Sequence, residues 1–482
     1  MNTKIIISIL GLILAIGLAY IIGTDKLGQL SLGFSAAVIL ALGAIFVVLR
    51  KPFLGTCLIL FFLSYTYFPS ANFGGVTLRI DHFLIILTTL AYLGEGFLKG
   101  TLKIQKDPLF FSLFFYLALA ISSLTRAINQ SRAGLILVFI IFVVLAYELI
   151  IQTISDKEKL IKATNFLLWG GLVVSLFGLW QFLAGGVGLP HFLTLLRPGY
   201  DSSVFGFPRV HAFSIEPLYF ADYLFIPLFL GLALFFTHQE KIKKKWLVTL
   251  LLAGLVSFIL TLSRGAYLGF IAAGVGLLIL IPRKILTATN IIIFLSTIFV
   301  VVLLVIGVFK IIGSQYLDLF VSHALVSDLQ AGESTQGRLI EYQRAEKVWH
   351  EHFWFGVGIG NYGPAINAAN PFLAPETGWP IVNNQYLETL AETGVVGMVT
   401  LGLFWLLVTL RGIIAFVKSQ DPYLKAVLAG LLAAWLGILV QYNFFSTIYI
   451  VHIWVLLGLL VATENIALSK VKTENEKGKT TR

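Results

Sequence analysis

The sequence predicts an all-α, polytopic α-helical membrane protein with about 12–14 transmembrane helices and a large extracytoplasmic helical loop over the bundle. Three observations predict it. Of 482 residues, 58% are hydrophobic and only 12% charged, with a mean hydropathy of +0.91, whereas soluble domains carry about 25% charged residues. The apolar residues fall in runs near the roughly 20 residues that a spanning helix needs. The basic residues then divide unequally between alternate connections. This composition excludes a soluble enzyme, a disordered chain and a basic-surface nucleic-acid binder, so the pI of about 9.4 is assigned to cytoplasmic loops and no nucleic-acid partner is expected. The single cysteine, Cys57, lies in an apolar run, which excludes an intramolecular disulfide and a cysteine metal cluster.

Fourteen runs qualify as spans: 5–23, 29–48, 53–68, 82–98, 108–124, 135–152, 164–184, 218–237, 247–262, 266–281, 287–309, 394–410, 425–442 and 447–462. The third, ninth and tenth are short. Lys4 precedes the first run and Asp25-Lys26 follows it in place of a small-residue cleavage site, so it reads as an uncleaved span. The organisation is then 1–309 with eleven helices and an outer loop at 185–217, a large extracytoplasmic loop at 310–393, the last helices at 394–462, and a disordered cytoplasmic tail at 463–482. With both termini cytoplasmic, 23 of the 34 Lys and Arg face inward and 11 outward, as the positive-inside rule requires. The expected location is the inner (cytoplasmic) membrane.

The two sides also differ in the kind of base. Lysines make up 19 of the inner 23, and arginines 8 of the outer 11. Topology needs only positive charge, but the guanidinium offers a planar fork that matches phosphate oxygens. A phosphate-bearing ligand at the outer face explains the bias, and without a nucleotide supply there the phosphate arrives on a lipid. Chance and aromatic stacking are the competing explanation.

Both outer loops exceed the 12–15 residues beyond which loops are usually functional or disordered. In 334–352, Leu339, Tyr342, Ala345 and Trp349 make an apolar stripe at helical spacing. Arg338 falls on the stripe and needs a partner, while Arg344 lies off it beside Glu341; the plain alternative is an Arg338–Glu341 surface pair. After Pro380, Asn384, Glu388 and Glu392 follow i, i+4, i+8, so a polar ridge leads into the twelfth span, costly unless it meets arginine or lines a wet cavity. Ser263-Arg264-Gly265 separates two spans with almost no loop, holding Arg264 at the hydrocarbon edge, where a snorkelling arginine is the alternative. Arg209, His211, Glu216 and, inside the next span, Asp222 form another polar stretch; His211 alone reads as structural, and Glu216 as a possible helix cap. Arg79-Ile80-Asp81-His82 opens the fourth span, where an Arg–Asp pair is the plain reading. Gly356-Val-Gly358-Ile-Gly360 lacks the spacing and context of a dinucleotide site, and glycines inside spans serve helix packing.

Three segments together resemble the O-antigen ligase and O-antigen polymerase superfamily of bacterial surface-polysaccharide ligase/polymerase integral membrane proteins. They are Thr261-Leu-Ser263-Arg264-Gly265-Ala-Tyr-Leu268, then Arg338 with Trp349 and His352 through Gly356-Val-Gly358-Ile-Gly360-Asn361-Tyr362, and Asn383-Asn384-Gln-Tyr386-Leu387-Glu388 through Glu392-Thr-Gly394. Arg209 through Tyr223 also resembles the segment that precedes the middle spans in polymerase members. The resemblance implies inverting, metal-independent and cofactor-free transfer of a glycan from polyprenyl diphosphate to a hydroxyl acceptor on the outer face. The partners it implies are a polyprenyl (undecaprenyl) diphosphate-linked oligosaccharide donor, a glycan or glycolipid acceptor such as the lipopolysaccharide core, and membrane lipid. Arg264, Arg209 and Arg338, with Arg79 as a fourth candidate, are expected to hold the diphosphate, whose growing charge needs preorganised cations. Where the family carries a histidine this chain has Asn383, which cannot act as a general base. Glu216 and Glu388 are the available carboxylates, and the Glu216-Pro217 context leans toward repeat-unit polymerisation. Two alternatives stay open: a shape, elongation and division type cell-wall glycan polymerase, and a transporter or flippase of lipid-linked sugars, for which Asp222 is the main acidic residue within a span.

Overall fold

The computed structural model describes residues 42–480 apart from 69, 74–75, 101–103, 106, 202–205, 240, 314–316, 318–332, 368–369 and 376–377. The elements run α1 (Pro52–Phe61), β1 (Ser70–Phe73), β2 (Val76–Arg79), α2 (Ile80–Lys99), α3 (Phe110–Ser123), α4 (Gln130–Thr153), α5 (Lys157–Gly186) and α6 (His191–Thr194). They continue with α7 (Pro217–Thr237), α8 (Lys244–Ile259), α9 (Arg264–Leu280), α10 (Pro282–Ile285), α11 (Ala288–Ile312), α12 (Glu333–Glu351), α13 (Tyr362–Ile366), α14 (Gln385–Lys418), α15 (Pro422–Gln441) and α16 (Val451–Thr480). Among the described residues eight helices are long and apolar enough to cross a membrane, namely α2, α4, α5, α7, α11, α14, α15 and α16, and α1, α3 and α9 are shorter apolar helices. The protein is a polytopic α-helical membrane protein. Twelve of the fourteen expected spans fall on described helices; 5–23 lies outside the described residues, and 29–48 is described, as helix, only from 42 onward.

Two boundaries differ from expectation. The third span stops at Phe61, after which Tyr67 donates its backbone N–H to Phe213 O (2.8 Å) and the antiparallel hairpin β1–β2 follows, Phe73 paired with Val76. The strands are too short for alternation to stand out, although Gly-Gly between two such runs is a hairpin signal. At the other end, α16 does not stop at 462 but continues to Thr480, and Thr463, Glu464, Ile466 and Ala467 are buried. The segment 463–482 is apolar-poor, yet Ala, Glu and Lys are strong helix formers. Glu464 also has a partner, since Arg411 Nε of α14 lies 3.1 Å from its Oε2.

Helices α7, α15 and α16 are buried along most of their length and form the centre, whereas α11 is largely exposed at the periphery. Helix α15 packs along both α7 and α9, and α16 along α4. Small residues set these approaches: a Cβ on Gly269 would lie 2.7 Å from Gly437 O, and one on Gly437 2.8 Å from Gly269 O. Inside a membrane, where lipid offers no hydrophobic drive between helices, such contact supplies the packing. Asp222 of α7 is buried against His452 of α16, with Oδ2 2.8 Å from Nε2.

Candidate active site

Helices α8 and α9 are joined by the tight turn 260–263, with Leu262 at φ 52°. Arg209 lies along this turn: its Nε donates to Thr261 O (3.2 Å) and its Nη2 to Leu262 O (3.4 Å), while Val210 N donates to Leu260 O (3.2 Å). A guanidinium there satisfies carbonyls left open past the end of a helix. Arg264 is the first residue of α9, where the helix dipole is already positive, and the hydroxyl of its neighbour Ser263 is buried without a hydrogen-bond partner among the described residues. A Cβ on Gly265 would lie 2.5 Å from Phe444, so glycine lets the start of α9 close onto the segment 443–444. Helix α12 meets the same segment: Tyr342 donates through its hydroxyl to Asn443 O (2.7 Å) and Asn383 O (3.2 Å). Arg338 stands one turn before Tyr342.

The charge of Arg264 acts on both of the other guanidiniums. Burial lowers the pKa of Arg209, which Tyr200, Tyr267 and Glu216 oppose and Arg264 reinforces. Burial likewise lowers that of Arg338, opposed by Tyr342 and reinforced by Arg264. Arg264 is therefore within electrostatic reach of both Arg209 and Arg338. Among the described residues no carboxylate is ion-paired with Arg264 or Arg338. Glu341, the plain partner expected for Arg338, instead takes Arg344 (2.7 Å) and the Tyr362 hydroxyl (2.6 Å). Arg79 does not join this group through any hydrogen bond, because its Nε and Nη2 both donate to Asp81, each at 3.1 Å.

Glu216 precedes α7 but makes no side-chain cap. Burial raises its carboxyl pKa, and the charges of Arg197 and Arg209 pull it back down. Tyr219, one turn further, is within electrostatic reach of both Glu216 and Glu388, and its hydroxyl pairs with Thr447 Oγ1 (3.2 Å). His211 is structural: Nδ1 bonds Ser214 O (2.7 Å) and Nε2 accepts from Arg197 N (3.1 Å). These two bonds fix the neutral tautomer with its proton on Nδ1, and burial lowers the pKa to about 4.

The second and third sequence segments meet at a break in α14. Gly394 has φ 67° and ψ −169°, which interrupts the helical ladder between Ala391 and Val396. Four of the groups beside the break pair with the segment 353–358. Ala391 O accepts from Val357 N (3.0 Å) and Glu392 O from Gly358 N (2.8 Å), while Val395 N donates to Phe353 O (3.0 Å) and Val396 N to Trp354 O (3.2 Å). A broken helix is tolerated at membrane depth when neighbouring groups re-satisfy the backbone in this way. A Cβ at Gly356 would lie 2.2 Å from Glu392 C, and one at Gly394 2.3 Å from Phe355 N. Gly394→Ala is therefore expected to abolish the monodisperse size-exclusion peak of the detergent-extracted protein. Gly402→Ala, where a Cβ meets nothing within 4 Å, is the control expected to leave that peak unchanged.

Glu392 fastens the same loop, accepting from Gly360 N (2.8 Å) and Tyr362 N (3.1 Å). Glu388 fastens the loop before α14: its Oε2 accepts from Val382 N (2.9 Å) and Ser446 Oγ (2.5 Å), and Ser446 Oγ in turn accepts from Asn383 N (3.0 Å). Asn383 adopts φ 58°, a left-handed conformation in which Asn, Asp and His are enriched among non-glycine residues.

Residues 247–402 match the family model described as O-Antigen ligase. That stretch, about a third of the chain, is similar to an O-antigen ligase domain. The match supports the O-antigen ligase/polymerase superfamily, and with it a general role in ligating or polymerising surface polysaccharide from a lipid-linked glycan donor onto a glycan acceptor. No curated protein matches the chain. The matched O-antigen ligase segment contains Arg264, Arg338, Asn383 and Glu388; Arg79, Arg209 and Glu216 lie N-terminal to it, yet folding brings Arg209 onto the 261–262 turn of the domain. Sequence reasoning did not single out Arg132, Arg197, Tyr219 or Ser446, which surround the same carboxylates. Their only signal was membership of the arginine-rich outer side, and that applies to Arg132 and Arg197 alone.

Proposed function

We propose that the protein is an inverting, metal-independent glycosyltransferase on the outer face of the cytoplasmic membrane, with both termini cytoplasmic. It moves a glycan from polyprenyl diphosphate to a hydroxyl acceptor, as a surface-polysaccharide polymerase or ligase. The observation that carries this reading is Arg264 at the N-terminus of α9, with Arg209 bonded to the 261–262 turn just before it and both Arg209 and Arg338 within electrostatic reach. Like charges held together in a partly desolvated site call for a multiply charged anion, and a diphosphate leaving group meets that need.

In the transfer, the acceptor oxygen forms the new bond to the anomeric carbon as the bond from that carbon to the diphosphate oxygen breaks. The electron pair leaves on the diphosphate, where the three guanidiniums stabilise it, and the acceptor proton goes to Glu216. Glu216 suits this role better than Glu388, because Glu388 Oε2 already accepts two hydrogen bonds that hold the Asn383 loop. Asn383 then shapes the loop and takes no proton. The transporter reading gains no support, since its acidic residue, Asp222, is fully buried and paired with His452.

The test is reconstitution in liposomes with a polyprenyl diphosphate-linked oligosaccharide, with and without an acceptor glycan, in EDTA. A product of inverted anomeric configuration is expected. A retained configuration, or transfer that stops on chelation, would overturn the proposal.

A further inference from the structure

Beside Glu388 and Glu392 lies a small cavity that the arginine group does not reach through any hydrogen bond. Its walls include Arg132, Gln385, Glu388, Glu392, Tyr116 and Tyr449, and its volume is about 40 Å³. That is room for two or three waters at roughly 15 Å³ each, or for the hydroxyl-bearing edge of a sugar rather than a whole ring. Arg132 Nε donates to Gly360 O (2.5 Å), and its guanidinium lies over the Trp379 ring at 5.4 Å. It is within electrostatic reach of both carboxylates but in ion-pair contact with neither, and its Nη groups have no hydrogen-bond partner among the described residues. Glu388 Oε2 and both oxygens of Glu392 are already accepting hydrogen bonds, while Glu388 Oε1 has no hydrogen-bond donor among the described residues.

The wall therefore presents unused donors on Arg132 and acceptor oxygens on Glu388 and Glu392. Two carboxylates against one guanidinium disfavour an anion, so the diphosphate does not belong here. A group that both donates and accepts, and is neutral, satisfies the wall: a hydroxyl. We infer that this cavity is the acceptor-side subsite and binds vicinal hydroxyls of a neutral sugar, with Arg132 as the residue that orients them. The protein then sorts its two substrates by charge, diphosphate to the three arginines and polyol to the Arg132 cavity, with Tyr219 within electrostatic reach of both Glu216 and Glu388. The assignment of these hydroxyls to an acceptor rests on the proposed transfer reaction; the binding of a neutral sugar does not.

The experiment is saturation-transfer NMR on the full-length protein in nanodiscs, with methyl glucoside, mannoside and galactoside as probes and inorganic pyrophosphate as competitor. At least one glycoside is expected to bind the wild type, to persist in excess pyrophosphate, and to weaken at least tenfold in Arg132→Met and in Glu392→Gln. Absence of any glycoside binding, binding unchanged by Arg132→Met, or displacement by pyrophosphate would overturn the inference. If Arg132→Met does not elute as a folded particle, carbodiimide footprinting of the wild type decides. The glycoside must then slow labelling of Glu388 and Glu392 and not that of Glu216; equal labelling with and without sugar overturns the inference. Glycoside binding without pyrophosphate binding would sink the diphosphate reading and leave this subsite standing, and the converse would do the reverse.

Discussion

Arg264→Ala is expected to lower the transfer rate by about 10²–10³-fold, the usual loss when one preorganised group that stabilises developing negative charge is removed. The effect should fall on kcat as much as on kcat/KM, because charge on the diphosphate grows as the glycosidic bond breaks. Lysine at this position should recover little, since it brings charge without the planar fork that grips two phosphate oxygens. The fold should not suffer. Arg264 makes no side-chain hydrogen bond among the described residues, and its charge disfavours those of Arg209 and Arg338. The melting temperature of Arg264→Ala should therefore equal or exceed that of the wild type while activity collapses. A variant that lost activity and stability together would mark Arg264 as a structural residue.

Glu216→Gln carries the second large effect, a fall of about 10²–10⁴-fold for the loss of a general base. The pH dependence separates this from a packing defect. Burial holds the Glu216 carboxyl above the ordinary glutamate range even against Arg197 and Arg209. The base works ionised, so the acid limb of kcat/KM should lie above about 4.3, the value of a free glutamate. Arg197→Met removes a charge that lowers this pKa, and the limb should move to higher pH. The stability sign runs the other way. A carboxyl that holds its proton more tightly folded than unfolded loses stability as pH rises from the unfolded value through the folded one. At neutral pH Glu216→Gln should thus be at least as stable as the wild type, while nearly inactive. An acid limb that does not move in Arg197→Met would exclude Glu216 as the base.

Much of this was legible in the sequence because a membrane chain writes its helices in hydropathy. The parts that were not legible have physical causes. The hairpin at Ser70–Arg79 has strands of four residues, too short for a periodic signal. The apolar-poor end of α16 stays helical because helix propensity and a charge partner in Arg411 do not appear in hydropathy. The i, i+4, i+8 ridge of Asn384, Glu388 and Glu392 was visible, but the destinations of its members were not. Asn384 caps α14 through Leu387 N (3.1 Å), and the two glutamates fasten loops whose partners lie up to 58 residues away. Arg79 could be read as a diphosphate ligand or as the partner of Asp81, and only the bidentate geometry distinguishes them. The glycines of the 356–360 loop looked like a motif without a ligand. Their purpose is the backbone exchange with the break at Gly394, which depends on two segments 34 or more residues apart in the chain.

The central claim is that Arg209, Arg264 and Arg338 hold the diphosphate of a lipid-linked donor. The most direct measurement is a cryo-electron microscopy structure of the protein in nanodiscs with a polyprenyl diphosphate bound. The account predicts phosphate density within hydrogen-bond distance of the Arg264 guanidinium and of at least one of Arg209 and Arg338, with Glu216 facing the position of the anomeric carbon. Phosphate density at the Arg132 cavity, at Arg79, or on the opposite side of the bundle would contradict it.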